Sequence, residues 1–401
     1  MNLRQKIEEE IRERGPIPFS RYIEICLYDS ELGYYSRNAE QFGKAGDFYT
    51  SSDVHAVFGR LMARQFDEMW RVLGSPGQIE ILELGPGRGL FAQDVLDWSE
   101  KKFPDCFRAV HYTLAERSPA LRQRLESTLS GHFRSGKASL TQRLEPLPND
   151  GSYGAAAVVR NSVSIERALA PEVPVIVFAN EFFDALPVEV LSPEGELRIA
   201  EKDGWLVETW YPASAVELEF LDQHSVRPES GERIEAPLIA QRYMSEIAAA
   251  VKCGFVIAID YGYTQAEQIG GRHRGTITAY RQHSVSATPY EAPGEQDITA
   301  HVNFTALAAA AEGGGMRVQP LVTQSQFLLG IGEQNQFADA FEECRLPQER
   351  AKVALQLKHL VTPAGMGENF HVLVGSRGVS SEKVTNLSGL SFGKSDAATA
   401  P

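Results

Sequence analysis

Residues 79–89 read IEILELGPGRG, and the fold class follows from this stretch. Ile79 to Leu84 has the length and apolar content of a buried strand, the glycines at 85, 87 and 89 form a tight turn, and residues 90–102 carry Leu90, Phe91, Val95 and Leu96 as the buried face of a helix. A second strand over 110–115 ends at Glu116, and Ser118 and Pro119 then supply an N-cap and a first-turn proline for a helix over 119–130. Strand, glycine turn, helix, strand and acid make one βαβ unit, so the chain belongs to the α/β class, with a parallel sheet wrapped on both faces. Three alternating glycines remove every Cβ that would hold a ligand away from the turn's backbone. Their spacing is GxGxG, with Leu90 standing where the dinucleotide fingerprint GxGxxG requires its third glycine.

Outward from this unit, VPVIVFA at 173–179 is a strong buried strand that runs into Asn180-Glu181-Phe182-Phe183-Asp184 at the carboxyl edge of the sheet, where open α/β sheets bind ligands. Short strands with glycine and proline punctuation then make an antiparallel insert on the substrate side, placed at about 187–250, with a helix over 236–252. Further strands fall at 254–260 and 370–375, and helices at 299–311 and 338–360. The third sheet strand is placed near 156–163, in a stretch of weak periodicity. Upstream, Leu3, Ile7 and Ile11 recur at helical spacing until Gly15-Pro16, helices follow over 19–28 and 53–73, and a glycine-rich loop at 42–52 can approach a ligand. Residues 379–401 are poor in large apolar groups and read as a disordered tail. The resulting division is an N-terminal helical region (1–75), a catalytic domain with its insert (76–378) and the tail.

Composition sets the boundaries. The 401 residues are 43% hydrophobic and 23% charged, as in a globular enzyme. A net charge of −14, from 53 acidic and 39 basic side chains, repels phosphate backbones, so nucleic acid is excluded as a partner. Cys26, Cys106, Cys253 and Cys344 form no CxxC pair, and no cluster has metal-ligand spacing in the sequence, so no metal is expected. The first 15 residues mix both charge signs and lack an apolar signal core, and no apolar run reaches the ~20 residues that span a bilayer. These readings place the protein in the cytoplasm, without membrane insertion. They leave the oligomeric state open, a homodimer included.

The GxGxG turn, with Glu83 two residues before it and Glu116 ending the next strand, resembles the cofactor motif of class I S-adenosylmethionine-dependent methyltransferases. GDFYTS (46–51), AERSP (115–119), ANEFFDALPV (179–188), IDYGY (259–263), GTITAYRQH (275–283), DITAHVNF (297–304) and TQSQFLLGIG (323–332) follow in one order. Together these motifs resemble the MidA family over about residues 15–375. Two stretches depart from it: TSSDVH at 50–55, and residues 131–170. The resemblance implies a Rossmann-like, mostly parallel seven-stranded sheet with a reversed last strand, and S-adenosyl-L-methionine as cofactor. Glu83, Gly85, Gly87, Gly89 and Glu116 would hold that cofactor. The implied activity is methylation of a protein arginine, on a subunit of respiratory complex I.

A guanidinium offers five N–H donors in a planar fork and no acceptor, so its site needs carboxylates placed for bidentate bonds. Glu181 and Asp184 supply two and Asn180 would support them; these three are the candidate catalytic residues. The alternative for Glu181 and Asp184 is capping of the following helix; Asp260, at the end of the strand over 254–260, either faces the same crevice or is a turn or cap acid. His283 and His301 are candidate bases or structural histidines, and Tyr280, Asp297 and Thr299 would shape a groove. A small-molecule O- or N-methyltransferase and a non-catalytic assembly chaperone remain as alternative functions. A Ser/His/Asp hydrolase is disfavoured because GxSxG is absent.

Overall fold

The computed structural model describes residues 2–36, 56–141, 173–281, 284–286 and 288–392. The glycine-rich loop at 42–52, TSSDVH, the strand expected near 156–163 and His283 all lie outside these residues.

The main sheet contains β1 (Ile79–Leu84), β2 (Val110–Ala115), β3 (Ala138–Thr141), β4 (Val175–Asn180), β5 (Gly254–Tyr263), β6 (Arg317–Val318) and β7 (Phe370–Arg377). Their spatial order is β3-β2-β1-β4-β5-β7-β6, with two-residue strands Val302–Asn303 and Val322–Thr323 attached at β5 and β7. The first five are parallel and β7 runs antiparallel to β5, which is the seven-stranded doubly wound arrangement with a reversed last strand. Alternation explains why these segments become strands buried on both faces. Ile176 and Phe178 of β4 enter one core with Ile79 and Ile81 of β1, while Val175, Val177 and Ala179 enter the opposite core with Leu82 and Leu84. Helices Ala56–Val72 and Leu90–Lys102 cover the first face; Leu238–Ala250 and Phe304–Gly313 cover the second. Among the described residues no helix is long and apolar enough to cross a membrane.

Several sequence expectations need correction. The strand beside β2 is Ala138–Thr141, whose short, half-buried ASLT pattern carries little periodic signal. The helix expected over 299–311 begins only at Phe304, because Asp297–Thr299 pairs with Thr278–Arg281 and Asn303 caps the helix through its side chain. The helix over 338–360 is two, Ala338–Phe341 and Pro347–Val361, with Pro347 opening the second. Residues 379–392 are ordered rather than disordered. Val384, Leu387 and Leu390 enter the first core, and the Glu68 carboxylate accepts the Ser388 N–H at 3.0 Å.

The N-terminal region does not act as one unit. Helices Leu3–Arg14 and Phe19–Tyr28 pack on the insert, whereas Ala56–Val72 packs on the main sheet. The insert sheet comprises Glu189–Ser192, Gly195–Lys202, Trp205–Tyr211 and Ile234–Ala236, joined by Ile17–Pro18 from the N-terminus. Its core holds Ile7, Ile17, Phe19 and Tyr22 with Val190, Leu197 and Ile199. Leu238–Ala250, which the sequence places inside the insert, packs against the main sheet instead.

Candidate active site

A cavity of about 1610 Å³ opens at the carboxyl edge of the sheet, lined by the ends of β1, β2, β4 and β5. Gly85, Gly87 and Gly89 adopt φ of +61°, +54° and +78°, the left-handed region that a Cβ disfavours, and this bends the chain sharply from β1 into Leu90–Lys102. The Gly85 N–H donates to the Ala115 carbonyl at 3.1 Å, tying the turn to the end of β2. A Cβ at Gly85 would lie 3.0 Å from Cδ2 of Phe182, so the glycine turn and the turn after β4 approach each other across this ring.

Glu116 follows β2 and lines the cavity. Its Oε1 accepts the Ser118 N–H at 2.8 Å, and the backbone N–H groups of Arg117 and Gly87 also point at the carboxylate. Burial nevertheless outweighs these donors and pushes its pKa up to about 7. Glu83 is more deeply placed, 5% exposed. Burial raises it to about 8, although the Tyr112 hydroxyl donates to its Oε2 at 2.8 Å.

The second half of the site is the turn after β4. Glu181 has φ of +50°, strained for a residue with a side chain. The strain has an identifiable support. Asp260, fully buried at the corresponding position of β5, accepts the backbone N–H groups of Phe182, Phe183 and Asp184 on Oδ2 at 3.2, 3.0 and 3.3 Å, and that of Tyr261 on Oδ1 at 3.0 Å. Asp260 is therefore the turn acid of the two readings open in the sequence. Burial and the charges of Asp184 and Glu181 hold its carboxyl well above the ordinary carboxylate range.

Asn180, Glu181 and Asp184 come together on the cavity wall. Asn180 donates to Glu181 Oε1 at 3.2 Å, while its own Oδ1 is buried with no hydrogen-bond partner among the described residues. Asp184 receives the Tyr261 hydroxyl, which in turn accepts from Thr299. Its Oδ1 too is buried without a partner, and burial raises the carboxyl to about 6. Among the described residues no lysine or arginine forms an ion pair with Asp184. Phe183 enters the second core and Phe182 lies half-buried against Tyr243.

Sequence reasoning missed the contribution of the N-terminal segment. The Tyr28 hydroxyl donates to the Ala185 carbonyl at 2.9 Å, the Tyr35 hydroxyl to Asp297 Oδ1 at 2.8 Å, and the Ser118 hydroxyl to the Tyr35 carbonyl at 2.5 Å. Aromatic residues next to a glycine, in LGYY at 32–35, were the available signal. His301 lines the cavity at hydrogen-bonding distance from His273, Nδ1 to Nδ1 3.2 Å, and burial lowers its pKa to about 4. Away from the cavity, Glu189, Glu196 and Glu217, far apart in sequence, bring ligand atoms within 4.8 Å of one another. Each already accepts a hydrogen bond, from Ser20, Arg198 and the Ser214 N–H respectively.

The donor and acceptor set suits a sulfonium nucleoside. The glycine turn brings bare backbone to the cavity, the Glu116 carboxylate can accept from a ribose diol, and the orphaned buried oxygen of Asn180 can accept an N–H. The family model for S-adenosyl-L-methionine-dependent methyltransferases matches residues 61–322. The mitochondrial protein arginine methyltransferase NDUFAF7 homolog of Drosophila melanogaster is 29% identical over 94% of this chain and 85% of its own length. The mitochondrial protein arginine methyltransferase NDUFAF7 of Homo sapiens is 27% identical, over 90% and 80%. A crystal structure of a protein from Burkholderia thailandensis bound to S-adenosyl-homocysteine superposes with a TM-score of 0.78 at 27% identity, covering 96% of this chain and 94% of that one. The two curated relatives are mitochondrial proteins, which overturns the cytoplasmic placement. That placement rested on the first 15 residues, most of which the fold uses as a packed helix. The chain belongs to the MidA family of S-adenosyl-L-methionine-dependent methyltransferases.

Proposed function

We propose that the chain methylates an arginine side chain of a protein, with Glu181 and Asp184 receiving the guanidinium and Asn180 supporting it. The observation that carries this reading is the buried Asp184 oxygen, which among the described residues has no partner, on a cavity wall where none of them pairs a lysine or arginine with that carboxylate. A buried acceptor of this kind is costly unless a ligand fills it. The arginine methyltransferase names of the Drosophila and human relatives support the same acceptor. For the acceptor protein we retain a subunit of respiratory complex I, as the sequence resemblance implies.

In this reading Gly85, Gly87 and Gly89 bring backbone against the cofactor, Glu116 accepts from its ribose hydroxyls and Glu83 fixes the floor beneath them. The cofactor supplies an electrophilic methyl on a positively charged sulfur. Glu181 and Asp184 orient a guanidinium nitrogen toward it, and their negative charge offsets the charge that builds as the N–C bond forms and the C–S bond breaks. The arginine nitrogen must also shed a proton. Asp184, raised to about 6, is a competent acceptor for it near neutral pH. Incubation with labelled S-adenosyl-L-methionine and a mitochondrial extract, followed by mass spectrometry, tests the assignment. Label on arginine supports it, and label only on lysine, on carboxylates or on small molecules overturns it.

A further inference from the structure

The acids at the turn after β4 are not the only ones facing the cavity. Asp297 opens the strand Asp297–Thr299, outside the main sheet, and is 3% exposed on the same wall. The Tyr35 hydroxyl holds its Oδ1 at 2.8 Å. Burial raises the Tyr28 and Tyr35 phenols above their ordinary value and the charges of both Asp184 and Asp297 add to the rise, so the two carboxylates lie near the same pair of rings. The two acids are also tied through the backbone, since the Ala300 N–H donates to the Asp184 carbonyl at 3.0 Å. The orphaned Asp184 Oδ1, on a side chain 7% exposed, marks this part of the cavity as one that awaits a donor.

We propose that Asp297, oriented by Tyr35, is a further acceptor-binding carboxylate, so that the substrate cation is received between acids from two different sheets. This rests on the arginine reading above. A guanidinium directs donors outward along more than one edge of its plane, so it can engage carboxylates from more than one element at once. A second carboxylate from another element serves the other edge and favours a planar, delocalised cation over an ammonium, whose charge sits at a point. Tyr35 acts through Asp297 and is a positioning residue. It is itself held from the cofactor side, because Ser118 donates its N–H to Glu116 and its hydroxyl to the Tyr35 carbonyl.

The experiment uses the full chain saturated with S-adenosyl-homocysteine and titrates N-acetyl-arginine amide and N-acetyl-lysine amide by calorimetry. Asp297→Asn keeps an acceptor for the Tyr35 hydroxyl and removes only the charge. It is expected to weaken arginine amide tenfold or more while S-adenosyl-homocysteine affinity stays within twofold, and Asp297→Glu is expected to recover part of the loss. Tyr35→Phe keeps the charge and removes the hydrogen bond that orients the carboxylate, with an expected loss of about threefold for arginine amide alone. Wild-type binding of arginine amide that Asp297→Asn matches within twofold would overturn the role of Asp297 and leave the arginine reading standing. Wild-type protein that binds lysine amide as tightly as arginine amide, or binds neither, would overturn both. Should Asp297→Asn lose S-adenosyl-homocysteine as well, Tyr35→Phe decides: an unchanged arginine affinity rejects the proposal.

Discussion

Asp260 Oδ2 accepts the Phe183 N–H at 3.0 Å, at the centre of three consecutive amides that converge on this one oxygen. This anchors the turn that carries Glu181 and Asp184, and it offsets the cost of the left-handed backbone at Glu181. A buried amide left without an acceptor costs about 1–3 kcal/mol. Asp260→Ala strands several, so denaturant unfolding should report a loss of about 3 kcal/mol or more.

The two halves of the cavity should separate by measurement. Hydrogen bonds to an ionised group contribute about 1.5–3 kcal/mol each, roughly ten- to a hundredfold in affinity. Glu116→Ala is therefore expected to weaken S-adenosyl-L-methionine binding at least tenfold. Glu181→Gln and Asp184→Asn should leave that affinity within a few-fold and lower turnover a hundredfold or more. Calorimetry with parallel steady-state assays decides this, and equal cofactor loss in all three variants would contradict the division.

Gly85→Ala offers a sharper version of the first half. At φ +61° an alanine costs about 1–2 kcal/mol, and its Cβ would stand 3.0 Å from Phe182 Cδ2. The fold should survive this while cofactor affinity falls by more than tenfold, as seen by a retained far-ultraviolet spectrum beside a failed titration.

Burial gives the ligand-free protein an unusual pH response. Glu83 and Glu116 are raised from an ordinary 4.5 to about 8 and about 7. Between those limits the folded chain binds more protons than the unfolded one, so stability falls as pH rises, and the cost is fully present above pH 8. Urea midpoints should decline from pH 5 toward pH 8, and Glu83→Gln, which cannot ionise, should flatten the decline. Binding carries the opposite sign: below about pH 7 Glu116 is increasingly protonated and accepts less well from ribose hydroxyls, so cofactor affinity should drop as pH falls.

The C-terminal stretch is open to a direct check. Val384, Leu387 and Leu390 are 0%, 1% and 6% exposed. At about 1.5–3 kcal/mol for each buried side chain, ending the chain at residue 379 should cost on the order of 5 kcal/mol, visible as a lowered Tm.

What was legible in the sequence was what local periodicity encodes. β1, β2 and β4 are buried on both faces and read as apolar runs, and the glycine turn and Glu116 follow at fixed offsets from them. The position of Asn180, Glu181 and Asp184 on the cavity wall is legible because they follow a strand whose end must face the ligand edge. Asp260 is located but not decided by the sequence, since an acid facing the crevice and a turn acid look alike until the amides around it are known. β3 was missed because only its first residue is buried and its neighbour β2 supplies the order. Tyr35 meets Asp297 across a separation of 262 residues, and no local pattern records such a pairing. The tail misled because three apolar residues spread through a polar stretch suffice once a groove is waiting for them.

The hydrogen bond from Ser118 to the Tyr35 carbonyl has a practical corollary for anyone building chimaeras from these enzymes. A nucleoside-binding half transplanted from a relative would arrive without the leading segment that brings residues such as Tyr28 and Tyr35 to the cavity wall. Such hybrids should retain their grip on the nucleoside yet turn over poorly until the matching leader is exchanged along with it.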